Sequence, residues 1–154
     1  MPENTIIPVL YLMCGLPGSG KTTLARILEK EYGAIRFSPD EWLYDLGLSF
    51  YDDQARIKVE QLQWQLALQL LKQGHSVILE YGFWLRTERD HYRAVAKELG
   101  VIAKVYYLKA SIDELKSRLK KRNQLGIDSI PVVNLANLDQ WINRFEEPAQ
   151  EELS

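Results

Sequence analysis

Apolar residues in this chain fall into two kinds of spacing, short unbroken runs and longer stretches with helical recurrence, and the two kinds alternate. Runs at residues 9–13, 76–80 and 101–108, with a shorter one at 34–38, read as strands buried on both faces. Between them lie helical stretches: residues 23–30, about 53–73 and 87–100, then a basic one opening at Ser111. A last stripe, Leu138, Trp141, Ile142 and Phe145, precedes Pro148 and a polar end. Strands joined through helices of ten or more residues must run parallel, and right-handed crossovers put helices on both faces. The expectation is a three-layer α/β/α fold around a mostly parallel sheet of four strands, with a fifth left open, in a single domain spanning residues 1–154.

Element ends carry their own chemistry. Gly33 is placed to stop the first helix, while Ser38, Pro39 and Glu41 spell a capping box that puts Asp40 in the first turn after strand two. Ser111 and Glu114 spell a second such box. Asp52 and Asp53 can cap the long helix, whose expected buried stripe is Ile57, Leu62, Leu66 and Leu70, with its stop at Gly74. Trp64 on that helix is expected in the core, although the neighbouring glutamines leave an acceptor pocket open.

Composition narrows the class. With 154 residues and 46% hydrophobic content, the chain has the size and apolar share of one folded core. Its 19 basic and 21 acidic residues leave a net charge of -2, which argues against binding along a nucleic-acid backbone and leaves binding of a nucleic-acid end open. The single cysteine, Cys14, ends the first strand and reads as a small core residue. No apolar run approaches a membrane span and Met1-Pro2-Glu3-Asn4 lacks the basic start of a signal peptide, so no membrane partner and a cytoplasmic location are expected.

The first strand runs into Gly15-Leu16-Pro17-Gly18-Ser19-Gly20-Lys21-Thr22, a complete G-x-x-x-x-G-K-[ST] phosphate-binding loop that opens a helix. Glycines permit the sharp turn, and successive N–H groups with the positive helix end make an anion site. Lys21 is expected to reach the β- and γ-phosphates, and Thr22 to offer its hydroxyl to Mg²⁺; Gly15, Pro17, Gly18, Ser19, Gly20 and Thr23 complete the nucleotide contacts. Ligands of parallel sheets bind beyond the strand carboxyl ends, so Asp40 and Glu80, which ends strand three, converge with this loop on one rim. Taken alone, Asp40 can equally complement the helix dipole and Glu80 can be an exposed strand end.

Other features stay double. Residues 81–86 form an aromatic loop that either walls an acceptor site or packs on the core, and Arg86 and Arg89 either meet substrate or are solvated. His75 and His91 have no visible partner that would make them bases. Arg118 and Arg122 share a helix face, and phosphoryl transfer needs cations against developing charge. Residues 123–137, with Gly126 and Pro131 and no clear period, suit a mobile lid.

Together G-L-P-G-S-G-K-T-T-L-A-R from Gly15, F-S-P-D-E-W from Phe37, L-E-Y-G-F-W from Leu79 and R-L-K-K-R-N from Arg118 resemble a bacterial family of small P-loop kinases. That family is related to polynucleotide 5′-kinases, chloramphenicol phosphotransferase and zeta-type toxins. The resemblance implies a nucleoside-monophosphate-kinase-like strand order 2-3-1-4, ATP and Mg²⁺, and transfer of the γ-phosphate to a hydroxyl of an unidentified acceptor. By the same resemblance Asp40 takes the proton of that hydroxyl, Glu80 helps hold Mg²⁺ or its waters, and Arg118 and Arg122 are lid arginines. Such folds often carry a fifth strand after the lid helix, for which no apolar run is left here. A nucleotide-binding switch or regulatory ATPase using the same loop is the competing expectation; no N-K-x-D guanine-reading signature occurs.

Overall fold

In a computed structural model, which describes residues 7–153, strands β1 (Val9–Cys14), β2 (Ile35–Phe37), β3 (Val77–Gly82) and β4 (Ile102–Tyr107) form one parallel sheet. Its order is β2-β3-β1-β4, as the resemblance implied, and no fifth strand occurs among the described residues. The start Met1-Asn4, read above for a signal, lies outside them.

Side-chain alternation along each strand builds two cores. Leu10, Leu12 and Cys14 of β1 join Phe37, Val77 and Leu79 on one face, covered by α3 (Asp53–Lys72) through Ala67 and Leu71 and by α4 (Arg86–Glu98) through Ala96. Tyr11, Met13 and Ile78 face the other side, against Ala25 and Leu28 of α1 (Lys21–Tyr32). The result is the expected three-layer α/β/α arrangement. Each fully buried leucine-sized side chain contributes about 1.5–3 kcal/mol. The same alternation carried past Leu79 sends Glu80 toward α1 and Tyr81 toward α3, where the Tyr81 hydroxyl donates to the Glu60 carbonyl at 3.3 Å.

A third cluster lies over the sheet rim. Leu115 and Leu119 of α5 (Ile112–Leu125) pack with Val133 and with Leu138 of α6 (Leu138–Arg144), and Leu16 leans on them. Cap chemistry positions the rim. Ser38 accepts the Glu41 amide at the start of α2 (Pro39–Asp45), Asp52 Oδ1 caps α3, and Ser111 caps α5. Neither expected capping box closes fully: the Glu41 carboxylate turns to Arg36, and Glu114 lies 3.6 Å from Arg118.

Two further expectations are corrected. The buried face of α3 is Val59, Gln63, Ala67 and Leu71, one position round from the leucine stripe; Ile57, Leu62 and Leu66 are 56%, 52% and 43% exposed. Ala67 is small enough to bring the helix close to the sheet, and Gln63 tolerates burial because its Nε2 donates to the Ser38 carbonyl at 3.1 Å. Trp64 does join the core, edge-on to Tyr92 with centroids 4.6 Å apart.

Arg89 is not solvated. It is fully buried, donating from Nε to Glu152 at 2.7 Å and from Nη1 to the Phe83 carbonyl at 2.7 Å. Gly82 and Phe83 both take left-handed φ, 80° and 48°, in the turn that carries this carbonyl, an uncommon state for phenylalanine. The polar chain end therefore folds back: Glu152 is buried, the Glu146 amide donates to the Trp84 carbonyl, and Arg86 reaches Glu151 at 3.0 Å. The aromatic loop packs inward rather than walling a site, with Phe83 buried against Tyr92 and Trp84 against Trp141. Cys14 is a core residue as expected, its thiol pushed up to about 11 chiefly by burial. No helix among the described residues is long and apolar enough to cross a membrane.

Candidate functional site

The turn between β1 and α1 is shaped by residues that only fit as written. Gly18 sits at φ 85° with a virtual Cβ 2.9 Å from the Leu119 side chain, and a Cβ on Gly15 would come within 2.5 Å of Ser19 Oγ. A larger residue at either position would therefore push into the loop's own wall. Gly20, also left-handed, stands immediately before α1, so the first amides of that helix face the loop. Within the loop Lys21 donates to the Gly15 and Leu16 carbonyls at 2.9 and 3.0 Å. Ser19 Oγ is buried and makes no hydrogen bond among the described residues. Thr22 and Thr23 are exposed in the first turn, and Pro17 is half-buried in the loop. A cradle of inward amides, one cation and an unsatisfied hydroxyl fits a polyphosphate.

Burial and the nearby Arg122 pull the Lys21 ammonium down, against the opposing fields of Glu80 and Asp40, to about 8. An anion placed in the loop would raise it again.

Glu80 is the first carboxylate of the rim. Its side chain is only 5% exposed and is fixed from two sides: Thr22 Oγ1 donates to Oε2 at 2.9 Å, and Arg36 Nη1 donates to Oε1 at 2.6 Å. Arg36, on β2 one strand over, also faces Glu41 and Glu29. A hydroxyl and a carboxylate in direct contact beside a phosphate cradle are hard oxygen donors of the kind Mg²⁺ takes, directly or through water. No group of three or more His, Cys, Asp or Glu that could cage a metal occurs among the described residues, so such an ion would share its coordination with phosphate and water.

Asp40 is the second carboxylate, in the first turn of α2 after Ser38. Its Oδ1 accepts a short hydrogen bond from Arg56 of α3, whose guanidinium also donates to the Phe50 carbonyl at 3.3 Å. Asp40 acts on Lys21 and on Arg122 through its field, which ties it to the phosphate cradle.

From the opposite side α5 brings its two arginines. Arg118 Nη1 donates to the Gly18 carbonyl at 3.3 Å and lies 3.5 Å from that of Ser19. Arg122 is half-buried with an Nε that has no partner among the described residues, and burial pulls its guanidinium below its usual value although Asp40 and Tyr51 oppose this. Residues 126–134 beyond α5 form no helix or strand, and Asn123 clamps their far end by hydrogen bonds to both the amide and carbonyl of Val133.

Loop, Thr22, Glu80, Asp40, Arg118 and Arg122 thus meet on one rim, whereas His75 and His91 are exposed and hydrogen-bond to none of these residues. Sequence reading missed Arg36 and Arg56, which hold Glu80 and Asp40. No motif marks either one, since each pairs across elements.

The fold recurs among solved structures. A candidate kinase from Chloroflexus aurantiacus superposes with a TM-score of 0.75 at 22% identity, covering 94% of this chain and 83% of that one. Kti12 from Chaetomium thermophilum, solved with ADP-AlF3, gives 0.67 at 20% identity over 92% and 82%. A gluconokinase from Sinorhizobium meliloti gives 0.63 at 19% over 94% and 79%. At such identities the likeness concerns the fold. A family model described as an AAA domain, AAA_33, matches residues 10–148, from the first strand past the last helix. By that match, with the phosphate loop intact at its start, the chain belongs to the AAA_33 family of P-loop kinases.

Proposed function

We propose that this protein is an ATP- and Mg²⁺-dependent phosphotransferase that moves the γ-phosphate of ATP to a hydroxyl of a small molecule or of a nucleic-acid 5′ end. The observation that carries this reading is Asp40, a carboxylate in the first turn of α2 just past β2, held through Oδ1 by Arg56 and acting to raise Lys21 and Arg122. A loop that only holds nucleotide has no use for an acceptor-side base. An enzyme spending ATP belongs in the cytoplasm, where we place it.

In this reading Lys21 exchanges the Gly15 and Leu16 carbonyls for the β- and γ-phosphates, and the loop amides cradle them. Thr22 and Glu80 would hold Mg²⁺ or its waters, and the ion would supply charge neutralisation for the polyphosphate. The acceptor hydroxyl gives its proton to Asp40 as its oxygen bonds to the γ-phosphorus, and the bond to the β–γ bridging oxygen breaks to release ADP. Arg118 and Arg122 of α5 offset charge that grows on the transferring group, and the expected lid, which leaves that helix only from residue 126 on, closes over the site beside them.

The test is ATP turnover by the purified protein with and without a metabolite mixture, followed by identification of the phosphorylated product. Acceptor-dependent turnover is expected. Hydrolysis or nucleotide binding that no acceptor changes would favour a regulatory ATPase or switch instead.

A further inference from the structure

Helix α2 turns two faces to two tasks. Pro39 and Leu43 are buried and Trp42 leans on Phe37 with ring centroids 5.9 Å apart, which fixes its inward side. Asp40 and Tyr44 stand four positions apart and so share the outward side, with Cβ atoms on the order of 5–6 Å apart. Tyr44 is 45% exposed. Its ring lies at 8° to that of Phe50, with centroids 6.4 Å apart, and Phe50 is the half-buried member, so the open side of the stack is the tyrosine.

The stack is tied to Asp40 a second time. The Arg56 guanidinium donates to Asp40 Oδ1 and also to the Phe50 carbonyl at 3.3 Å, so one cation fixes both the carboxylate and the backbone that carries the lower ring. Asp40, Arg56, Phe50 and Tyr44 thereby close a circuit from α2 through α3 and back. Tyr51, next in the chain, is 66% exposed and acts on Arg122 of α5 as Asp40 does, so this segment borders the same opening as the base and that arginine. Core packing does not account for a tyrosine that leaves nearly half its surface in water, and phosphoryl transfer has no use for an aromatic there. A flat apolar ring held at a fixed distance from a reacting polar group is, by contrast, how binding sites orient a ligand: the ring supplies contact area and the polar group direction.

We infer that Tyr44, backed by Phe50, is the shelf of the acceptor subsite, and that the acceptor is a ring compound whose flat apolar face lies on Tyr44 while a hydroxyl on the ring, or one carbon from it, reaches Asp40. Aromatic and heterocyclic alcohols and sugar rings share this chemistry. Open-chain polyols and amino alcohols lack it. The inference rests on the kinase reading above and narrows it to a substrate class.

The test gives the wild-type protein γ-labelled ATP and three sets of alcohols: nucleosides and aryl carbinols, sugars locked in ring form as glycosides, and open-chain polyols and amino alcohols. Label is expected in a ring set, and which of the two takes it tells a planar ring from a sugar ring. The best open-chain member should fall about tenfold or more below the best ring acceptor in kcat/KM. Tyr44→Leu keeps apolar bulk and loses the flat face; it should raise the ring acceptor's KM about tenfold and erase the preference for rings, with kcat changed far less. Tyr44→Phe keeps the face and should stay within about twofold of the wild type. Thermal unfolding accompanies each variant, and Tyr44→Gln replaces Tyr44→Leu if the latter aggregates. Equal use of rings and open chains, or a ring preference that survives loss of the tyrosine ring, overturns the inference and leaves the kinase reading standing. Self-association of the wild type that Tyr44→Gln abolishes does the same, since the shelf then belongs to a second copy. ATP binding without transfer to any set overturns both.

Discussion

The Thr22 hydroxyl donates to Glu80 Oε2 at 2.9 Å, joining the residue after the loop lysine to the strand next to it. The contact ties the first turn of α1 to β3 and sets a hydroxyl and a carboxylate side by side. Glu80→Gln should keep ATP affinity without Mg²⁺ and lose roughly ten- to hundredfold of the Mg²⁺-dependent part, the usual worth of a ligand-orienting carboxylate. Calorimetry with and without the metal decides it. An unchanged metal increment would remove Glu80 from the ion site.

Lys21→Ala should leave the fold intact and abolish most ATP binding and turnover, since the side chain serves the loop rather than a core. The wild-type ammonium sits at about 8 without nucleotide, and bound phosphate raises it. Affinity for ATP should therefore be full below about pH 8 and fall as pH rises through the higher bound-state value. Calorimetry between pH 7 and about 9.5 should find proton uptake that Lys21→Met lacks; a flat profile would contradict the assignment.

Asp40→Asn separates a structural from a chemical role. Asp40 is 41% exposed, so losing its pair with Arg56 should cost about 1 kcal/mol or less, and Ser38 still caps α2. Transfer to the acceptor should nonetheless drop by about 10²–10⁴, with ATP affinity nearly constant. A folded, ATP-binding variant that keeps its transfer rate would rule out the base.

Arg118→Ala and Arg122→Ala should lower turnover more than ATP affinity, and at least one should lose roughly tenfold or more. Arg122 is expected to lose more. Its Nε, without a partner among the described residues, is already desolvated, whereas Arg118 is exposed and leans on Glu114. Single-turnover transfer rates settle the order, and full activity in both variants would mean a merely solvated helix face.

Glu152→Ala should destabilise the protein by about 3–5 kcal/mol, because it leaves the Arg89 charge buried and unpaired. Replacing both residues with apolar ones should recover much of the loss. Burial disfavours the charged form of Glu152, yet Arg89 and the Ala149 amide hold its carboxyl below the usual range. Its contribution is thus present above the unfolded-state value and lost as pH falls through the lower folded one. Chemical denaturation of the two variants from pH 3 to 7 measures both effects.

What the sequence reveals about this molecule is what is local. The loop, the Ser38 cap that places Asp40, and the turn from apolar strand to Glu80 are each written within a few neighbouring residues. Arg56 and Arg36 are invisible because their partners lie 16 and 44 positions away. The α3 stripe misleads for a different reason: two adjacent rows, one leucine-rich and one with Ala67 and Gln63, can both face inward, and close approach to the sheet favours the smaller row. Arg89 reads as solvated because its counter-charge stands 63 residues on, in a segment that looks like a polar tail.

That separation gives the chain a schedule. During synthesis β3 and its left-handed turn emerge long before Glu152, so the Phe83 carbonyl and the Arg89 guanidinium lack part of their closing contacts until residue 152 has left the ribosome. The rim bearing Glu80 adjoins that turn, with the Gly15 amide bonded to the Gly82 carbonyl. Ribosome-stalled chains ending before residue 149 should be cut by protease near Trp84, and the 154-residue chain fused to a linker that spans the exit tunnel should resist.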